Sequence, residues 1–193
     1  TPASSGTVTF AGQDITRVKT YQSARLGLSR TFQIVQPFAE LSALDNVAAA
    51  ALFSQPNESL KSARESAREQ LAFVGLEAQS DQPAATLTLA MRKRLELAKA
   101  LAMKPKLLFL DEVNAGLNSA EVERATRLIH ELAASGITIV MIEHLMKVVL
   151  NVCTRIVVLH NGKLIADGMP RDVIKNSAVV EAYLGQQYAQ RAA

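Results

Sequence analysis

The sequence has no tryptophan, one cysteine and few rings of any kind, aromatic side chains making up 5% of its 193 residues. So few rings leave no platform on which successive bases could stack. With Cys153 alone, an internal disulfide is excluded and a reducing compartment fits. Long apolar runs are missing too. "VAAAALF" (47–53) and "ITIVMI" (137–142) are far shorter than the roughly 20 residues a membrane-crossing helix needs. Charge of one sign is nowhere gathered. Against 18 Asp and Glu stand 21 Lys and Arg, for a net charge of +3, and only Arg92-Lys93-Arg94 approaches a cluster. The basic stripe of a nucleic-acid binder is lacking, and no nucleic acid is expected as partner. No signal-peptide pattern opens the chain, and residue 1 is Thr rather than Met, so the natural start is expected upstream.

What is present suits one globular domain with a sizeable core: 49% of residues are hydrophobic and 20% charged. "SGTVTFAG" (5–12) reads as a short strand and turn, followed by a short helix and a strand around 28–32. From about Leu41 to Met103 the chain is helical and Ala-rich. Asp45 and Asn46 are placed to cap one helix there, and Leu60, Ala63, Ala67, Leu71 and Phe73 or Val74 lie along one face of another. "KLLFLDE" (106–112) reads as a fully buried strand, 121–134 as a helix stopped by Ser135-Gly136, and "ITIVMI" as a second buried strand. Asn161-Gly162 predicts a type I′ hairpin, and a helix runs from Pro170 to Leu184. Strands alternating with helices argue an α/β fold with a mainly parallel sheet, carrying an inserted helical subdomain at about 41–103 and a helical tail at about 170–193.

Open α/β sheets place ligands at the C-terminal ends of their strands, which is where Asp111 and Glu112 fall. Adjacent acids there suit a magnesium-bound phosphate chain, one orienting the metal's water shell and the other positioning an attacking water. The same pair would equally serve to cap the next helix. His144 closes the following strand. It is either a structural histidine or, since neighbouring parallel strands share an edge, a third group beside Glu112. Gln33 could reach that edge through its amide oxygen, or stand in solvent. Arg92, Lys93 and Arg94 begin a helix in this reading, where positive charge opposes the macrodipole. Either an anion approaches them or the turn is solvated.

In this order the segments resemble the ATP-binding cassette of ABC transporters. "RTFQ" (30–33) looks like its Q-loop, "LTLAMRKRLELAKALAMKP" (87–105) its signature segment and "KLLFLDE" its Walker B strand. "NAGLN" (114–118) looks like its D-loop and "IVMIEH" (139–144) its switch-histidine loop. The tail "NSAVVEAYLG" and the phrase "AGLN" are most similar to the subfamily energising uptake of branched-chain amino acids, with urea and related amides as neighbours. The resemblance implies a P-loop NTPase-type sheet, here incomplete, and ATP and Mg2+ as cofactors. Gln33 and Asp111 would hold the metal, and Glu112 would be the general base. His144 would contact the γ-phosphate, Thr88, Leu89 and Ala90 would close on nucleotide, and Asn118 would lie near a dimer interface. It also implies a second cassette and transmembrane permease subunits as partners, with a cytoplasmic location on the inner face of the membrane.

The sequence departs from the family at three places. Leu89 and Ala90 stand where the Leu-Ser-Gly-Gly-Gln signature has glycines, so weaker or altered closure over ATP is expected. Val113 replaces the proline usual after the Walker B glutamate. Among nine glycines, none falls in a G-x-x-x-x-G-K-[ST] spacing, the loop that cradles phosphates. The chain is therefore expected to be a truncated cassette, lacking the strand next to Walker B, exposing an apolar sheet edge and inactive alone. Two other readings stay open: a cassette ATPase of a nucleic-acid-associated factor, and a non-catalytic interaction module.

Overall fold

The structure, a computed structural model, describes residues 3–54 and 57–184. It divides into two compact units, one running to Ile142 and one starting at Glu143.

The first unit opens with a hairpin of β1 (Thr9–Phe10) and β2 (Gln13–Asp14), then α1 (Thr20–Leu26) and β3 (Leu28–Arg30). Three helices follow with no named strand between them: α2 (Ala43–Ser54), α3 (Leu60–Phe73) and α4 (Leu89–Ala102). β4 (Leu107–Asp111), α5 (Ser119–Ala134) and β5 (Thr138–Ile142) complete it. β3, β4 and β5 form a parallel sheet in that spatial order, the arrangement that alternating strands and helices predict. A further strand was expected beside β4. Instead Leu108 pairs with Ser29 on one flank and Ile139 on the other, so both sides of β4 are used. Among the described residues the open ladders belong to β3 and β5.

Neither β4 nor β5 is buried as its apolar run suggests. Leu108 and Leu110 are buried but Leu107 and Phe109 only half so. In β5, Val140 is 44% and Ile142 58% exposed. An apolar run shows which residues can be buried. Whether a second layer covers them is decided elsewhere in the chain.

The helical part packs through small residues. Ala43, Val47 and Ala51 recur every four positions on α2, as Ala63, Ala67 and Leu71 do on α3, and all six are buried. Such stripes let the two axes approach closely. Leu60, expected on this face, is 55% exposed because it is the first residue of α3, where Ser59 caps the helix by accepting the Ser62 N–H. Of the Phe73/Val74 pair it is Val74 that is buried.

Asp45 and Asn46 do not cap α2. Ser42 does, its Oγ accepting the Asp45 N–H at 3.0 Å. The Asp45 carboxylate accepts from Ser42 at 2.9 Å and from Arg64 of α3 at 2.7 Å. These bonds, Arg64's first, hold its carboxyl below the ordinary carboxylate range. The folded state thus binds this proton more weakly than the unfolded one. Its contribution to stability is complete above the unfolded pKa, near 4, and is lost as pH falls through the lowered folded value. Asp45→Asn is expected to flatten the acid limb of stability below about pH 4. Thermal melts from neutral pH down through that window check this, and an acid limb identical in wild type and variant would refute it.

The second unit holds α6 (Met146–Val152), β6 (Ile156–His160), β7 (Lys163–Gly168), α7 (Pro170–Val173) and α8 (Ser177–Leu184). β6 and β7 pair antiparallel around Asn161 (φ 49°) and Gly162 (φ 73°), the positive pair a type I′ turn needs. Ala166, Val173 and Val179 form its core. The single helix expected over 170–184 is two. Asn176 interrupts it, and its Oδ1 accepts the Ala178 N–H at 2.9 Å to start α8 afresh. The remainder of the expected tail, 185–193, lies outside the described residues.

Candidate functional site

The chain leaving β3 runs beside the end of β4. Thr31 donates its N–H to the Phe109 carbonyl at 2.9 Å, and its Oγ1 accepts the Asp111 N–H at 3.4 Å. This brings two segments about 80 residues apart to one sheet edge, where Gln33 Nε2 donates to the Glu112 carboxylate. Asp111 is the last residue of β4. Glu112 turns out of the strand with φ 45°, a left-handed conformation uncommon for a non-glycine residue and a mark of functional turns. Its N–H still donates to the Ile142 carbonyl at 3.0 Å, which continues the β4–β5 ladder through the bend. Gln33 and Glu112 thus meet, with Asp111 next to them at the end of β4. His144 begins the second unit, where its N–H donates to the Glu143 carboxylate at 3.1 Å.

Two residues at this edge escaped sequence reasoning. Arg30 donates to Asp111 Oδ2 at 2.6 Å and lies over the Phe32 ring at 5.1 Å. No local pattern announces a pair 81 positions apart. Lys93 was read as part of a basic turn at a helix start. In fact α4 begins at Leu89 behind its N-cap Thr88, so Arg92, Lys93 and Arg94 sit in its second turn, away from the positive dipole end. Lys93 Nζ donates to the carbonyls of Glu112 and Val113 at 3.2 and 3.1 Å, pinning the bend after β4 to α4. Arg94 donates to the carbonyls of Val74 and Gly75. These carbonyl contacts give Lys93 and Arg94 a structural role inside α4.

Thr88 Oγ1 accepts the Met91 N–H, a bond that leaves its own O–H free to donate. Leu89 and Ala90 are the first helical residues of α4, so their N–H groups have no partner within the helix. Side chains in place of glycines thus still leave donors facing outward. Asn118 caps α5 reciprocally: its Oδ1 accepts from Glu121 N–H at 3.0 Å, and Glu121 Oε2 accepts from Asn118 N–H at 2.9 Å. The Asn-x-x-Glu spacing of a capping box was visible in the sequence. Gly116 precedes this cap, in the turn between β4 and α5. Its φ is 75°, and a Cβ there would meet Leu89 Cδ2 at 3.2 Å.

Two carboxylates and an amide at one edge suit a hard cation. Magnesium takes one or two carboxylates and keeps waters and phosphate oxygens as its other ligands. No group of three or more His, Cys, Asp or Glu among the described residues could hold a metal. Gln33 donates its NH2 to Glu112, leaving its Oε1 for the cation, so the residues fit. Asp111 is already paired with Arg30 through Oδ2, and a cation at the carboxylate competes with that guanidinium. Arg30→Gln is expected to tighten Mn2+ binding about two- to fivefold, the range of a partly exposed ion pair, read by electron paramagnetic resonance. Unchanged or weaker affinity would show that the pair does not compete.

Residues 1–115 match the family model described as ABC transporter. The chain is 34% identical over 195 residues to the high-affinity branched-chain amino acid transport ATP-binding protein BraF of Pseudomonas aeruginosa, spanning 94% of this chain and 76% of that protein. It is also 34% identical over 184 residues to the lipopolysaccharide export system ATP-binding protein LptB of Acidithiobacillus ferridurans, spanning 95% and 75%. Among solved structures, the ADP conformation of MJ1267, an ATP-binding cassette of an ABC transporter, superposes with a TM-score of 0.83 at 31% identity, spanning 96% of this chain and 79% of that one.

Proposed function

We propose a function from one premise: this chain belongs to the ABC transporter family, as an ATP-binding subunit. Its task is to couple ATP hydrolysis to solute import, with branched-chain amino acids or related small solutes as cargo. The observation that carries this is the meeting of Gln33, Asp111 and Glu112 at the end of a parallel strand. The likeness to BraF supports the cargo, alongside the tail segment 176–185.

In this reading Asp111 and the Gln33 amide oxygen hold Mg2+, which when bound neutralises phosphate charge. Glu112, on its bend, orients the attacking water and takes its proton. Gln33 touches Glu112 and leads into the helical part, so it carries the state of the site outward. His144 contacts the γ-phosphate. The Thr88 hydroxyl and the N–H groups of Leu89 and Ala90 close on the nucleotide of a second cassette, near which Asn118 also lies. The helical subdomain at about 41–103 docks on a permease through exposed Leu52 and Phe53. The subunit sits on the inner face of the membrane. No helix among the described residues is long and apolar enough to cross it.

The 193 residues contain no G-x-x-x-x-G-K-[ST] spacing, and alone they are expected to turn over no ATP. The test is to fuse a strand, such a loop and a helix ahead of Thr1 and measure magnesium-dependent ATP turnover. Turnover by the fusion and none by the 193 residues is the expected result. A fusion that folds yet binds no nucleotide would end the reading. Growth rescue of a strain lacking its branched-chain amino acid cassette, set against one lacking its lipopolysaccharide cassette, separates the two cargo classes.

A further inference from the structure

Between α4 and α5 lies a cavity of about 290 Å³ whose apolar floor no step above uses. Its size is near the lower end of small-ligand sites, roughly 300–1,000 Å³, and many times the room one water needs. Leu97, Leu128 and Ile129 line it with apolar surface, while Lys93, Arg94, Arg124 and Glu121 supply its charged groups, Lys93 Nζ donating to the Glu112 and Val113 carbonyls.

The charges there do not balance. Arg94 Nη1 donates to the carbonyls of Val74 and Gly75 at 3.2 and 2.9 Å. Those bonds fix the guanidinium without neutralising it. Burial and then the neighbouring charge of Arg124 push the Arg94 pKa down, with Glu121 opposing. That carboxylate is itself held by the Asn118 N–H. Two guanidiniums and one acid therefore stand beside an apolar floor. An anion between the guanidiniums would relieve their repulsion and could accept in a bidentate manner. Inorganic phosphate would satisfy the charge but leave the leucine and isoleucine surface wet. A carboxylate attached to an apolar body satisfies both.

We propose that this cavity binds a small amphipathic carboxylate, its apolar body on Leu97, Leu128 and Ile129 and its carboxylate between Arg94 and Arg124. Thr88 and Asn118 line the same cavity, and their side chains cap α4 and α5. An occupant therefore rests against both turns assigned above to the nucleotide, and its effect on ATP turnover follows from that reading. Binding itself does not depend on it.

The probe is 4-phenylbutyrate, titrated into the 193-residue chain and followed through backbone amide shifts. Saturable shifts in α4 and α5 are expected, with a dissociation constant on the order of 1 mM for a ligand of this size. The neutral 4-phenylbutanol should bind at least about tenfold more weakly, and Arg124→Gln should weaken the acid about fivefold. Arg124 is exposed, so that variant keeps the fold, which the unperturbed amides will confirm. Ala125→Phe, placed to fill the cavity, should abolish the shifts. Absent saturation, equal affinity for acid and alcohol, indifference to Arg124→Gln, or phosphate binding as tightly as phenylbutyrate would each overturn the proposal. None of these outcomes bears on whether Glu112 supports hydrolysis.

Discussion

Glu112→Gln, made in the fusion that carries a phosphate loop, should lower ATP turnover by about two to four orders of magnitude, the range of a positioned general base. Nucleotide affinity should stay within about twofold. The substitution keeps the side chain's size and removes only its ability to accept a proton. The backbone that aims it is held independently, by the Glu112 N–H on the Ile142 carbonyl and by Lys93 on the Glu112 and Val113 carbonyls. The Gln33 amide can still donate to the new side-chain oxygen. Single-turnover hydrolysis and equilibrium nucleotide binding, measured on the same preparation, separate the two effects. Turnover within tenfold of wild type would remove Glu112 from the role of base. A parallel loss of binding would make it structural.

Asn46→Ala should be among the most destabilising single changes in the chain. Asn46 is 0% exposed, and its side chain carries four hydrogen bonds. Its Oδ1 accepts the Phe38 N–H at 2.8 Å, while Nδ2 donates to the carbonyls of Phe38, Leu41 and Ser42 at 3.0, 3.3 and 3.0 Å. One amide thus holds the strap between the Gln33 segment and α2. Truncation strands polar backbone groups away from water, each at a cost of about 1–3 kcal/mol. Partial relaxation should bring the total to about 3 kcal/mol. For a chain of this size that lowers Tm by about 6–12 °C, readable by calorimetry. Asn46→Asp should do no better, since it keeps the acceptor but buries a charge and loses the donors. A shift below about 2 °C in Asn46→Ala would mean that water replaces the amide.

The candidate site was half legible. Gln33, Asp111 and Glu112 were placed at one edge from strand pattern and resemblance, and Gln33 bonds Glu112 there. Arg30 was not foreseen, because an ion pair across 81 positions leaves no periodicity to read. Lys93 was read by its charge and its supposed place at a helix start, yet it donates to backbone carbonyls on another segment. Asn46 was read as a cap by local preference. Ser42 takes that role, and the amide turns inward to a strap that only the tertiary fold brings within reach.

The sequence by itself determined the elements whose causes are local. Asn161-Gly162 makes the hairpin turn because both residues tolerate positive φ. Ser135-Gly136 ends α5, and the alanine spacing of α2 and α3 marks their buried faces. It also determined that acids stand at the end of β4, since an apolar run must stop where the sheet meets its ligand edge. Only the tertiary structure decided that β4 is flanked on both sides, that β5 is largely exposed and that Asp111 is held by Arg30. Each of these depends on which distant segment arrives, and solvent exclusion and pairing between far positions are set by the packed whole rather than by any stretch of neighbours.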